Sequence, residues 1–176
     1  MSNSACVKFF SLSSGSCGNC YFLSLEENGE HVAGIVIDAG VSVRRIKREL
    51  AMEGLGTDDF SAILVTHDHL DHIRSLGSYC KHIGKPVYAT ETLHKALSRH
   101  TMCCEYIGGC RKVMSDAWVD IVPGLIKARW FEVPHDASFT VGYALCFADG
   151  FLYLRKINGS YTMAFFFLQT LNYFIY

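Results

Sequence analysis

The stretch Phe60-Ser61-Ala62-Ile63-Leu64-Val65-Thr66-His67-Asp68-His69-Leu70-Asp71-His72 runs from an apolar segment straight into three histidines and two aspartates. A short apolar run rich in β-branched residues reads as a buried strand, and the polar packet begins at its C-terminal end, before a helix expected from about Leu70 to Ile83. Imidazole nitrogens and carboxylate oxygens on so rigid a support, with little apolar content to explain them as core, are a donor set for divalent metal. In extended or turn backbone, alternate side chains project to the same side, so His67 and His69 can converge on one ion while Asp68 points elsewhere. Asp71 and His72, one helical entry later, can face a second ion beside the first. The spacing suggests a pair of sites, one rich in histidine and one mixed.

Upstream, the apolar run Val32 to Ile37 ends at Asp38-Ala39-Gly40, the pattern of a buried strand that delivers a carboxylate to a sheet edge. Before it, Val7 to Leu12 and Cys20 to Leu25 read as adjacent antiparallel strands around the small-residue loop Ser13 to Asn19. Val43 to Met52 follows with a near-helical apolar period, and Glu53-Gly54-Leu55-Gly56 supplies a stop. Downstream, Lys85 to Ala89 is a further strand, and Thr90 is the expected N-cap of a helix from Glu91 to His100. Met102 to Tyr143 reads as mostly β, with turns at Gly108-Gly109 and Pro123-Gly124, and Trp130-Phe131-Glu132-Val133 leads into Pro134-His135-Asp136. Val141 to Phe147 and Phe151 to Leu154 flank a hairpin signal at Ala148-Asp149-Gly150. The fold class is therefore α/β in layers, with Trp118 and Trp130 expected in the core and no internal repeat.

The length of 176 residues suits about one domain, and 50% hydrophobic with 19% charged residues is ordinary for a chain that buries a core. A formal charge of −1 gives no electrostatic push toward nucleic acid or an acidic membrane, and Arg44, Arg45, Lys47 and Arg48 read as the solvated face of a helix. Met1 to Lys8 lacks the basic start and long apolar stretch of a secretory signal, so a cytoplasmic location with the eight cysteines reduced is expected. Cys17-Gly18-Asn19-Cys20 has no second paired cluster, and Cys103, Cys104 and Cys110 follow at irregular spacing. Cys17 and Cys20 therefore read as small buried residues in a turn rather than zinc or redox ligands. His31, His82, His94 and His100 fall outside the packet and read as surface or packing residues. From Ile157 to Tyr176 there is no charged residue; the length approaches a membrane span, but Asn158, Gln169 and Asn172 interrupt it, so a membrane anchor is disfavoured. Nothing in the sequence indicates a protein partner.

The run Thr66-His67-Asp68-His69-Leu70-Asp71-His72 resembles the H-x-H-x-D-H motif of the metallo-β-lactamase superfamily. Ile37-Asp38-Ala39-Gly40 resembles its strand-end aspartate motif, and Val133-Pro134-His135-Asp136-Ala137 its next histidine motif. Together with Ser11-Leu12-Ser13-Ser14-Gly15-Ser16, Gly18-Asn19 and Val141-Gly142-Tyr143, these motifs are most similar to the bacterial YycJ/WalJ-like branch, whose members are regarded as DNA exonucleases. The resemblance runs from about Val7 to Leu154. It implies a first metal site of His67, His69 and His135, a second to which Asp71 and His72 contribute, and an orienting role for Asp38; Asp68 and Asp136 read as candidate supports for the ligands or, nearly as well, as residues of a solvated loop. It implies up to two divalent ions, zinc first and manganese or iron as alternatives, with His67, His69 and Asp71 carrying the catalysis. A metal-bound water, its pKa lowered toward about 7, would supply hydroxide to hydrolyse DNA or another phosphodiester.

The resemblance also sets out departures. The family's next strand ends in Tyr-Leu-Thr-Asp, whose aspartate bridges the ions; here the strand reads Phe151-Leu152-Tyr153-Leu154-Arg155-Lys156, and no histidine follows His135. A lysine beside two divalent cations is repelled. Residues 1–154 are thus expected to form the N-terminal portion of the domain and 155–176 a divergent aromatic tail, best explained by a truncated or shifted reading frame. The expected architecture is an incomplete αββα sandwich, with apolar sheet surface left uncovered and poor stability. Two other functions follow as alternatives: an inactive fragment holding at most one metal, and a thioester hydrolase of the glyoxalase II type, disfavoured because no C-terminal helical segment is present.

Overall fold

Three apolar runs of the N-terminal third pair as an antiparallel meander, β1 (Ala5–Ser13), β2 (Cys20–Glu27) and β3 (Glu30–Ile37). The computed structural model describes residues 5–134, 137, 139–147, 150–157 and 160–167, the last two segments as backbone alone. From β3, α1 (Val43–Met52) crosses to β4 (Ala62–Leu64), parallel to β3. The helices α2 (Leu70–Ile73) and α3 (Leu76–His82) lead to β5 (Val87–Ala89). After it, α4 (Glu91–Leu97), α5 (Thr101–Cys104) and α6 (Ile107–Cys110) lead to β6 (Arg111–Val113). These strands form a six-stranded sheet in the order β1-β2-β3-β4-β5-β6. A second sheet holds β7 (Val119–Val122), β8 (Ile126–Glu132), β9 (Val141–Phe147), β10 (Gly150–Ile157) and β11 (Ser160–Phe167), antiparallel in the order β11-β10-β9-β8-β7.

Period-two alternation divides the first sheet between two cores. Cys20, Phe22, Val36 and Ile63 pack with Ile46, Leu50, Tyr79 and Leu93 of the helices. Tyr21, Leu23, Ile35, Ile37 and Leu64 pack with Ile126, Ala128, Tyr143 and Leu145 of the second sheet. Strands buried on both faces are mostly apolar, which is why the buried stretches of β2 to β4 read as hydrophobic runs, with Ser24 and Glu26 as buried polar exceptions in β2. Every described helix contributes to the first cluster, so the layers run helix, sheet, sheet, an incomplete αββα sandwich. Among the described residues no helix is long and apolar enough to cross a membrane.

Several sequence expectations are corrected. The helix expected from Leu70 to Ile83 is two helices, because the Asp71 carbonyl and the Ser75 N–H, which a continuous helix would join, bond elsewhere: Asn19 N–H donates to Asp71 O at 2.7 Å and Ser75 N–H to Ala39 O at 3.0 Å. Residues 101–110 are helical rather than β, and Gly108-Gly109 lies inside α6 instead of forming a turn. The α4 helix ends at Leu97, short of the expected His100, although Thr90 caps it as anticipated, accepting from Leu93 N–H at 3.1 Å. Trp118 is not core but 39% exposed, whereas Trp130 packs partly against the inter-sheet cluster. Cys17 is exposed while Cys20 is buried. The backbone shows no break where the family resemblance stops: β10 passes through Leu154 to Ile157 and pairs with β11.

Candidate metal centre

One buried carboxylate organises the ends of β3 and β4. Asp38 follows β3 with φ 62°, a left-handed conformation that aspartate tolerates better than most residues, and its N–H donates to Leu64 O at 2.9 Å. Its fully buried carboxylate accepts Thr66 N–H at 2.9 Å, Thr66 Oγ1–H at 2.8 Å and His72 Nδ1–H at 2.6 Å. The single hydroxyl proton of Thr66 is thereby committed to Asp38, so Thr66 Oγ1 accepts from His67 Nδ1–H at 2.9 Å. The network thus places a proton on Nδ1 of both rings and leaves Nε2 as the nitrogen that could bind a metal. One donor atom each of Asp38, His67 and His72 lies within 4.8 Å of the others. Within that trio the short Asp38–His72 contact is a hydrogen bond, not shared coordination.

The rings and carboxylates of the packet do come together. The His67 ring centroid stands 4.0 Å from that of His72 and 4.7 Å from that of His69. His72 Nε2 lies 3.6 Å from Asp71 Oδ2, so the two could serve as ligands of one ion. His67 and His72 are buried, whereas Asp68, His69 and Asp71 are half-buried, so the packet opens from a rigid floor toward solvent. Asp68 sits 3.6 Å from His100 Nε2, so His100, read from sequence as surface or packing, pairs with the packet.

Close backbone contact fixes the packet from below. A Cβ on Gly40 would stand 1.8 Å from Asp71 O, and Ala39 N–H donates to His72 O at 2.7 Å. Gly40 N–H donates to Asn19 O at 2.9 Å, and Asn19 Nδ2–H to Asp71 Oδ2 at 2.8 Å. The second sheet braces the packet from the other side: Val141 N–H donates to Thr66 O at 2.9 Å and the Tyr143 hydroxyl to Val65 O at 2.6 Å. Burial holds the Tyr143 phenol protonated, its pKa well above the ordinary value. Val133 N–H donates to Thr140 O at 2.9 Å, closing the segment that contains His135. His135 and Asp136 themselves lie outside the described residues, and so does the side chain of Lys156.

The residues present fit a divalent metal: three imidazoles with neighbouring rings, a carboxylate beside them, and a carboxylate–histidine contact beneath. Sequence reasoning gave Thr66, Asn19 and His100 no role. Thr66 and Asn19 stood inside quoted motifs, but a hydroxyl or amide shows its partner only after folding; His100 carried no signal.

A model of the metallo-beta-lactamase superfamily matches residues 18–135. Among curated relatives, the exodeoxyribonuclease YycJ of Bacillus anthracis is 32% identical over 141 residues, covering 78% of this chain and 49% of the relative. The exodeoxyribonuclease WalJ of Streptococcus pneumoniae is 31% identical over 133 residues, covering 74% and 46%. The chain spans about half the length of these relatives. Similar solved structures include a Cronobacter sakazakii metallo-β-lactamase with a HARLDQ motif (TM-score 0.61, 15% identity, 80% of this chain and 57% of that one). Another is zinc-bound PqqB of Methylobacterium extorquens (TM-score 0.54, 21% identity, 75% and 50%).

Proposed function

The chain belongs to the metallo-beta-lactamase superfamily, and from that premise we propose that it is a metal-dependent hydrolase of phosphodiesters, acting on DNA in the manner of an exonuclease. The observation that carries the reading is the Asp38 network, which holds His67 and His72 on their Nδ1 sides with ring centroids 4.0 Å apart and leaves Nε2 of each to bind. In this reading His67 and His69, with His135, hold a first divalent ion, zinc before manganese or iron, and Asp71 and His72 contribute to a second. Bound there, the metal lowers the pKa of water and offsets charge on the phosphoryl oxygens. Asp38 supports the ligands without binding metal, holding the Nδ1 side of His72 directly and that of His67 through Thr66, so that Nε2 is the atom left to bind and each ring is fixed in rotation. Asp68, with His100, steadies the peptide between His67 and His69. The half-buried His69 and Asp71 stand at the open side, where a phosphate would enter. The relatives' printed names as exodeoxyribonucleases support DNA as the substrate.

The test is release of nucleotides from end-labelled single- and double-stranded DNA by monodisperse, metal-loaded protein. Release that disappears in His67→Ala is expected; no release from a loaded sample overturns the proposal. A second reading, a chain that holds metal without turnover, is favoured by Lys156 at the position where the family resemblance places a bridging aspartate. It would show as metal binding with no hydrolysis of DNA or of small phosphodiesters.

A further inference from the structure

Asn19 lies 52 positions before Asp71, is 3% exposed, and belongs to a loop that supplies none of the ligands assigned above. Its side chain nevertheless uses its whole hydrogen-bonding capacity there. Nδ2 donates to Asp71 Oδ2 at 2.8 Å and to Gly15 O at 3.1 Å; Oδ1 accepts from Gly15 N–H at 3.0 Å and from the Tyr21 hydroxyl at 3.2 Å. This pattern admits one orientation of the amide. Turned over, the amide would set oxygen against the Asp71 carboxylate and the Gly15 carbonyl, and N–H against two donors. Tyr21 keeps its proton because burial, and then the charge of Asp38, push the phenol pKa up.

Resting on the ligand assignment of the proposed function, we propose that Asn19 is a positioning residue for Asp71, setting the affinity of the mixed metal position through the carboxylate oxygen that faces His72. The oxygen held by Asn19 is the one 3.6 Å from His72 Nε2, so the amide fixes the separation between the two donors. A carboxylate on the first turn of a four-residue helix would otherwise rotate freely about its side-chain torsions. Hydrogen bonds to ligating groups characteristically carry 10–100-fold in metal affinity. Asn19 acts on Asp71 alone, and so on the mixed position, whereas Asp38, through Thr66 to His67 and directly to His72, acts on both positions.

The experiment is zinc titration of the full chain against a chromogenic chelator, with thermal melting of the metal-free protein as the fold control. Asn19→Ala keeps the main-chain bonds to Asp71 O and Gly40 N–H and is expected to weaken the weaker zinc equivalent about 10–100-fold, leaving the tighter one unchanged. Tyr21→Phe, which keeps the ring packing, is expected to weaken it about 2–10-fold, and it decides the matter if Asn19→Ala fails to fold. In an Asp71→Ala background both effects are expected to vanish. Equal weakening of both equivalents, no weakening, or effects that persist without Asp71 overturn the role of Asn19. A single equivalent bound by the unsubstituted chain does the same. No zinc binding at all removes the ligand assignment with it, whereas selective weakening in a chain that leaves DNA intact removes only the nuclease reading.

Discussion

Among the described residues, ligand-type side chains gather at the ends of β3 and β4 and again between three helices, and the two gatherings behave oppositely. At the ends of β3 and β4, histidines and aspartates are held by partners that leave a lone pair aimed outward: Asp38 takes the Nδ1 proton of His72 and, through Thr66, fixes that of His67. Between α3, α5 and α6, the thiols of Cys80, Cys103 and Cys110 are buried among apolar side chains. There Cys103 donates to Ile73 O and Cys110 to Cys80 O, each at 3.8 Å. Burial pushes the Cys103 thiol up to about 11 and that of Cys80 higher still, with Cys110 adding to the latter, so the thiolate that metal requires is suppressed. Residue type nominates a site; the partners beneath it decide whether the donor is presented or withdrawn.

The sharpest way to break this contrast is elemental analysis of purified protein. Changing His67 and His69 together to alanine is expected to reduce bound metal to background, while Cys103→Ser with Cys110→Ser leaves it unchanged; metal that follows the thiols would reverse the comparison. Next in size is Asp38→Asn, which turns N–H toward groups that are themselves donors. It is expected to lower metal affinity about 10–100-fold and to cost about 3 kcal/mol in urea unfolding of the metal-free chain, from unmet buried donors. A variant as stable as the parent would mean that the carboxylate is not what aligns the rings. Tyr143→Phe tests how far the second sheet braces the packet, and a loss of about 1–2 kcal/mol is expected with metal stoichiometry intact.

The smallest effect extends the comparison to a withdrawn histidine. His94 is buried, its Nε2–H donates to Lys112 O at 3.0 Å, and its Nδ1 has no hydrogen-bond partner among the described residues. Burial lowers its pKa below the ordinary 6.5. Below pH 6.5 the unfolded chain therefore takes up a proton that the folded ring resists. The stability associated with neutral His94 is complete above that pH and is lost as pH falls toward the lowered value. His94→Gln is expected to flatten the loss of stability between pH 7.5 and 5.5. An identical pH slope in the two chains would show that His94 is not the group responsible.

Much of the first sheet was legible because strands buried on both faces are mostly apolar, and Ala33 to Ile37 is buried at every position, although Val32, read with them, is exposed. The stretch from Thr101 to Cys110 was not legible. Its two four-residue helices are too short to show a period, and paired glycines at 108 and 109 imitate a turn. The break between α2 and α3 was equally hidden, since it comes from Asn19 and Ala39 capturing main-chain groups that a local reading assigns to the helix.

The sequence by itself determined which atoms could meet a metal, because His67, His69, Asp71 and His72 are neighbours along the chain, and short separation holds them together whatever the fold does elsewhere. It determined the α/β class too, through the length and continuity of its apolar runs. The tertiary structure alone decided which nitrogen of each ring carries the proton, which oxygen of Asp71 is held, and that Asn19, Asp38 and Thr66 hold them. Apart from the contact of Thr66 with its neighbour His67, those choices are hydrogen bonds between segments 28 to 52 residues apart, and a donor's partner at that distance is set by how the strands pack rather than by what lies beside it in the chain.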